Sequence, residues 1–416
     1  MDTKLIAVFV VGIMVVAGVS AYVLINNDDG SDIDDESVGR LAVYGNADNN
    51  DSIDQKDIDY IQDVIDGKKD RTELCDANHD GKIDAADIQQ VKDLIAKKDG
   101  TQVHYLDAYN DHQIVHWPAN RVSIIFKSVQ LIALAAGLTY PQVVAYQIED
   151  PILFAPFHGA EIMDKLGRGG SAPRIGEFEY ISSFDPDLIV IGKGTDDPTP
   201  EQRKMYSDAG IDLVSVAMME GEDSIDSILT LGFLCGDMNS ARTYAKWCDS
   251  MLSAIDEKVA TIEEKDKKTA IIWYGGGAIA GKDDGYMKAF ERAGGINDIT
   301  WDYAALSKDN KEWLLEEQRD YIFRVFAMGY NSTPEKREAL YDRNIPLIDQ
   351  TDSYKNGNYW LIDSNIPQIL RIAYMGEIMY PEVFGEGFAD GWHQQLVDDV
   401  YKMDSYDVTG KFTYHR

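Results

Sequence analysis

"NSARTYAKWCDSMLSAIDEKVATIEEK", residues 239–265, carries a helical period over about seven turns. On both sides of it the texture is different. Short apolar β-like runs alternate with helical patterns: "RVSIIF" (121–126), "QVVAYQI" (142–148), "DLIVIG" (187–192) and "DLVSVAM" (212–218) before it, "TAIIWYG" (269–275), "YIFRVFAM" (321–328) and "IPLID" (345–349) after it. Such alternation predicts parallel sheets covered by helices. A long helix between two α/β halves reads as a spine joining two Rossmann-like lobes, with lobe one at 101–238, the spine at 239–265 and lobe two at 266–416.

The chain has 416 residues and 44% apolar content, enough for a large core and more than one folding unit. A formal net charge of -33 excludes nucleic acid, because phosphate binding needs Lys/Arg stripes and none is visible. Divalent cations are the easier partners. Cys75, Cys235 and Cys248 show no ligand-like spacing and read as buried thiols, with a Cys235–Cys248 pair as the alternative. Near the N-terminus "LIAVFVVGIMVVAGVSAYVLI" runs uncharged from Leu5 to Ile25, long enough to cross a bilayer. We read 1–40 as a transmembrane anchor plus acidic linker that places the rest outside the cytosol, with a cleaved signal peptide as the alternative.

From Leu41 to Lys98 the sequence repeats itself at an offset of 30 residues, each repeat an acidic loop leading into an amphipathic helix. A hard cation wants six to eight oxygens, and a coiled loop brings every second side chain inward. In the second repeat Asp76, Asn78, Asp80, Asp84 and Asp87 supply side-chain oxygens, Lys82 its carbonyl, and Gly81 permits the turn. The first repeat matches with Asn46, Asp48, Asn50, Asp54 and Asp57, with Ser52 giving its carbonyl. Asp51 replaces the turn glycine and two asparagines lower the ligand charge, so two Ca2+ sites are expected, the second stronger. The unit at 41–100 resembles a type I dockerin, with its paired loop-helix repeats and terminal aspartate. That resemblance implies a cohesin partner, although Gln55 and Lys56, Ala85 and Ala86 stand where dockerins often carry a hydroxyl pair. A calcium-stiffened spacer is the alternative.

A second resemblance covers about Val103 to the end. "YLDAYNDHQIVHWPANRVSII" (105–125), "FDPDLIVIG" (184–192), "AFERAGGIND" (289–298) and "YPEVF" (380–384) occur in the order seen in the substrate-binding proteins of ABC importers for ferric siderophores, haem and cobalamin. Glu179 precedes Asp187 by eight residues, and Glu312 precedes Asp320 by the same interval. The resemblance implies that this glutamate pair docks onto the permease dimer, while Arg319 stands where the family usually has proline.

Ligands of α/β sheets bind beyond the carboxyl ends of strands. That nominates Lys127, Ser128, Tyr146, Gln147 and Lys193 in lobe one, with His158 in a nearby loop, and Tyr274, Gly275, Gly276, Met328, Tyr330 and Tyr354 facing them. The seven histidines, His79, His104, His112, His116, His158, His393 and His415, are scattered with no metal-ligand pair at helical spacing, and no nucleophile elbow occurs, so an enzyme is not expected. The expected function is an extracytoplasmic, membrane-tethered solute-binding protein that delivers a metal chelate, whether corrinoid, haem or ferric siderophore, to an ABC permease. The alternative is a calcium-dependent cell-surface interaction protein working through its dockerin-like unit.

Overall fold

The computed structural model describes residues 37–146, 150–159, 174–194, 197–217, 222–274, 277–302, 304–305, 312–403 and 405–416. The apolar run 5–25 and the residues Gln147, Gly275 and Gly276 lie outside the described residues. Among the described residues no helix is long and apolar enough to cross a membrane.

Lobe one begins with an antiparallel hairpin, β1 (Gln102–Leu106) and β2 (His112–His116). Its sheet comprises β3 (Val122–Ile124), β4 (Val143–Ala145), β5 (Leu188–Gly192) and β6 (Asp212–Val216), all parallel, in the order β4-β3-β5-β6. Every residue of β5 is buried, which is why it reads as an unbroken apolar run. Lobe two holds β7 (Ala270–Trp273), β8 (Ala278–Ile279), β9 (Ala304–Ala305), β10 (Tyr321–Phe326), β11 (Tyr359–Asp363) and β12 (Thr413–Tyr414) in the order β12-β11-β10-β7-β8-β9. β7, β10 and β11 run parallel, and the outer strands are antiparallel to their neighbours. "IPLID" is not a strand. It closes the helix Pro334–Ile348, whose start is fixed by Thr333 as N-cap and Pro334, and the strand it stood for is β11, "YWLID". A short apolar run fits either structure, and only the capped helix ahead of it decides.

The spine is the helix Met238–Val259, capped by Asp237, which accepts from the Ser240 amide at 2.7 Å. It stops short of residue 265: the Thr261 hydroxyl donates to the Lys258 carbonyl at 2.7 Å, and Glu264–Asp266 forms a separate turn. Cys248 and Met251 are fully buried on its inner face. All three cysteines are free and buried.

The two lobes share a device that accounts for the aspartate of the repeated Glu/Asp interval. Asp187, just before β5, accepts from the amides of Asn120 (2.8 Å) and Arg121 (3.0 Å) on the approach to β3. Asp320, just before β10, accepts from the Thr269 amide (2.8 Å) and hydroxyl (3.0 Å) on the approach to β7. Arg319, where proline was expected, reaches Asp298 at 2.8 Å and Glu317 at 3.2 Å instead.

The repeat unit folds as two helices, Gln55–Ile65 and Ala85–Ile95, around Ala47, Ile61, Cys75, Ala77 and Val91. It is not a bead on a stalk. Its entry segment pairs with β1, Tyr44 N donating to the His104 carbonyl (2.9 Å) and Leu106 N to the Ala42 carbonyl (2.8 Å). Leu41, Val43 and Leu94 join the main core, so burial continues across residue 100.

Candidate ligand cleft and the paired loops

A cavity of about 240 Å³ lies at the carboxyl ends of the strands between the lobes. Lobe one contributes Phe126, Ser128 and Leu131 after β3 and Asp150, Leu153 and Phe154 after β4; lobe two contributes Tyr286, Ser364 and Asn365. The wall is chiefly aromatic and aliphatic. Phe126 holds φ at 77°, a conformation a bulky residue avoids, and its ring is partly exposed at the rim. Behind Tyr286 the fully buried Arg371 guanidinium sits 4.5 Å from the ring centroid, and Tyr274 meets the same ring edge-on at 5.0 Å.

The floor ties the lobes together. Asp150 of lobe one is buried and accepts from Tyr330 N (2.8 Å) and Asn331 Nδ2 (3.0 Å) of lobe two. Asp363 at the end of β11 holds that same loop by accepting from Gly329 N at 2.8 Å. Gly329 is required there: its φ is 60°, and a Cβ would lie 2.3 Å from an Asp150 carboxylate oxygen.

The two acidic loops coil alike. Asp48 accepts from Asn50 N (3.2 Å) and Asn50 from Ser52 N (2.6 Å); Asn78 accepts from Asp80 N (3.0 Å) and Asp80 from Lys82 N (2.9 Å). The fourth residue is left-handed in both, Asn49 at 60° and His79 at 55°. Asp54 and Asp84 are the helix N-caps, and the buried Asp57 and Asp87 complete capping boxes by accepting from Asp54 N and Asp84 N at 2.8 Å. The same carboxylates reach back to the loop start, at Ala47 N (2.7 Å) and Asn78 N (3.2 Å). Asp76 accepts from Asp80 N and Gly81 N. Burial pushes the Asp57 carboxyl up to about 7 and shifts Asp87 the same way. Asn46 donates its amide to the Leu41 and Asn50 carbonyls, while its buried Oδ1 has no hydrogen-bond partner among the described residues. This all-oxygen set, with buried carboxylates that gain from a positive charge, fits a hard divalent cation.

Residues 164–365 match the family model described as periplasmic binding protein. Among solved structures, the TroA-like periplasmic binding protein FepB from Veillonella parvula is 16% identical, covers 75% of this chain and 99% of its own, and superposes with a TM-score of 0.57. CeuE of Helicobacter pylori, solved as a Ni-His complex, is 16% identical over 75% of this chain and 99% of its own, with a TM-score of 0.55. MolA of Haemophilus influenzae, bound to molybdate, is 14% identical over 72% and 98%, with a TM-score of 0.55. The two lobes have the periplasmic binding protein fold. No curated protein matches the chain in sequence.

Within this two-lobed unit the nominated residues separate. Ser128 lines the cavity, and Lys127 opens the helix Lys127–Ala135 beside it. Tyr274 and Met328 stand one layer back: Tyr274 packs on Tyr286, and the Met328 amide points to Asp363. Tyr330 is a core residue, its hydroxyl 2.8 Å from Nε2 of the buried His393. Tyr146 is fully buried against Phe157, and His158 stacks on Tyr146 outside the cavity lining. Lys193 lies over the Tyr109 ring in a separate polar groove that also involves Arg40 and Asp107, because β5 and β4 flank β3 on opposite sides. Tyr354 precedes β11 and packs on Tyr359 at its amino end, the wrong end for the cleft. Sequence reasoning missed Phe126, Asp150, Phe154, Tyr286 and Arg371. "QIEDP" and "KDDGYM" mark two of these places as polar turns after strands, but nothing local says which turn faces the other lobe. Glu179 and Glu312 are both exposed, each at the start of a short helix.

Proposed function

We propose that the binding-protein unit is the extracytoplasmic solute receptor of an ABC importer and that its solute is a metal chelate with an aromatic or planar ligand shell. The observation that carries this reading is the interlobe cavity with its aromatic wall, closed below by the Asp150 tie. FepB, CeuE and MolA share the fold at an identity too low to transfer a ligand, and the last two hold chemically different solutes. A bare oxyanion would want a cradle of cationic and hydroxyl donors; the wall here offers no cation but three rings and two leucines, with Ser128, Asp150, Ser364 and Asn365 as its polar groups. Ligand pockets usually span about 300–1,000 Å³, so the cavity as closed accommodates only part of a corrinoid, haem or siderophore, and loading requires the lobes to part.

Binding is non-covalent. Phe126, held in an unfavourable conformation at the rim, presents its ring to the solute. The Asp150 carboxylate fixes the loop of lobe two against lobe one once the solute is in place. Exposed Glu179 and Glu312 then seat the loaded receptor on the permease dimer. Residues 5–25 anchor the chain, and the repeat unit binds two Ca2+ ions through Asn46, Asp48, Asn50, Ser52, Asp54 and Asp57, and through Asp76, Asn78, Asp80, Lys82, Asp84 and Asp87. The second reading, surface attachment to a cohesin-like partner, is favoured by the exposure of Gln55, Lys56, Ala85 and Ala86.

A thermal-shift series with cobalamin, haem, ferric siderophores, Ni-His and molybdate tests the receptor. A cognate solute at a hundred times its dissociation constant adds about 2.7 kcal/mol. Dose-dependent stabilisation by one chelate, weakened in Phe126→Ala, supports the reading; flat curves from folded protein overturn it and favour surface attachment.

A further inference from the structure

Three of the seven histidines meet at the junction between the repeat unit and lobe one. β1 and β2 pair with His104 opposite Ile114 and His112 opposite Leu106, which puts His104 and His112 on one face of the hairpin as a diagonal pair. His79, fourth residue of the second loop, covers that face. Its ring stacks on His112 at 3.7 Å with 2° between planes, and His104 Nδ1 lies 2.9 Å from His112 Nε2. One nitrogen from each ring lies within 4.8 Å of the other two.

We propose that His79, His104 and His112 form a binding site for a divalent transition metal of the zinc class, which clasps the second loop to the hairpin of lobe one. Imidazole nitrogens suit zinc, nickel, cobalt and copper and not calcium, so the site is chemically distinct from the oxygen ligands on either side of His79. Zinc–nitrogen bonds of about 2.0–2.1 Å separate tetrahedral ligands by about 3.3 Å, so the widest gap closes by at most about 1.5 Å. His79 has room to move because it is exposed, whereas the hairpin face is held by its strand register. A neutral imidazole carries one lone pair on a ring nitrogen, which is the form that binds such a metal. The ring that now donates in the His104–His112 contact must change tautomer, and the two rings must swivel so that both nitrogens face the metal instead of each other. Three protein ligands leave a fourth position open to water. His116 shares the face but is turned to Asp212, 3.1 Å away.

The test uses the full-length chain saturated with calcium, titrated with Zn2+ by calorimetry and with Co2+ by visible absorption. One equivalent binds, with a tetrahedral-type cobalt spectrum. His79→Gln, His104→Gln and His112→Gln each weaken it by at least about 100-fold, the upper end of what loss of even a supporting group costs. His415→Gln leaves it unchanged. His79→Gln, at an exposed position, guards against misfolding and keeps the response of the interlobe cavity to its own solute, which separates this site from the receptor reading. Absence of zinc uptake, full affinity in all three variants, or displacement of zinc by excess calcium overturns the proposal.

Discussion

The two loops of the repeat unit match at an offset of 30 residues, yet the fold treats them differently. In the first loop Asn46 and Asp51 are buried, and Asp51 lies 3.5 Å from the Arg242 guanidinium on the spine helix, which also donates to the Asp51 carbonyl at 3.1 Å. In the second loop His79 to Lys82 are exposed, and Gly81 turns at φ 89°. The residue in place of the turn glycine of the first loop therefore has a contact of its own. Asp51 takes no left-handed conformation, and its side chain anchors the loop to the spine helix. Copies of one local motif diverge in what they touch, and contact sets which substitutions each tolerates.

The sharpest way to break this comparison is Arg242→Ala. It leaves the Asp51 side chain, only 4% exposed, without its cation, and should cost about 3 kcal/mol in urea unfolding. A loss no larger than that of an ordinary surface change would make the two loops equivalent after all. Next comes calcium. At a hundred times the dissociation constant each occupied loop adds about 2.7 kcal/mol, so chelation should lower the melting temperature, Asp87→Ala should abolish the tighter phase and Asp57→Ala the weaker one. An unaltered melt on chelation removes calcium from the account.

A third difference lies in pH. Burial holds Asp57 at about 7, so below that value the calcium-free first loop carries a proton the cation must displace. Its apparent affinity, measured in Asp87→Ala, should fall as pH drops through 7, by up to tenfold or about 1.4 kcal/mol per unit. For the calcium-free fold the sign is opposite: a raised carboxyl stabilises below its unfolded value near 4 and that contribution is lost as pH rises through about 7. The smallest effect belongs to Lys82→Ala in the exposed loop, expected within about 0.5 kcal/mol of the parent.

Much of the architecture was legible locally. The spine, the alternation of strands and helices, and the repeat all rest on short-range periodicity, and a period survives whatever packs against it. The N-caps Asp54 and Asp84 are likewise a matter of neighbours in sequence. The candidate cleft was legible only in outline. Ser128 follows from the rule that ligands sit beyond strand ends, but Tyr354 does not reach the cleft, because "IPLID" ends a helix and the strand is "YWLID", which begins after Tyr354. Lys193 failed because strand order, which no local pattern encodes, puts β5 on the far side of β3 from the cavity.

The sequence by itself determined most of the strands and helices, the paired acidic loops and the repeated Glu/Asp interval, because each depends on residues close together along the chain. Tertiary structure alone decided that the repeat unit packs on lobe one, that Asp51 faces Arg242, that Asp150 reaches Tyr330, and that His79 meets His104 and His112. These contacts join residues separated by up to 191 positions, and burial chooses among such pairings only when whole elements dock.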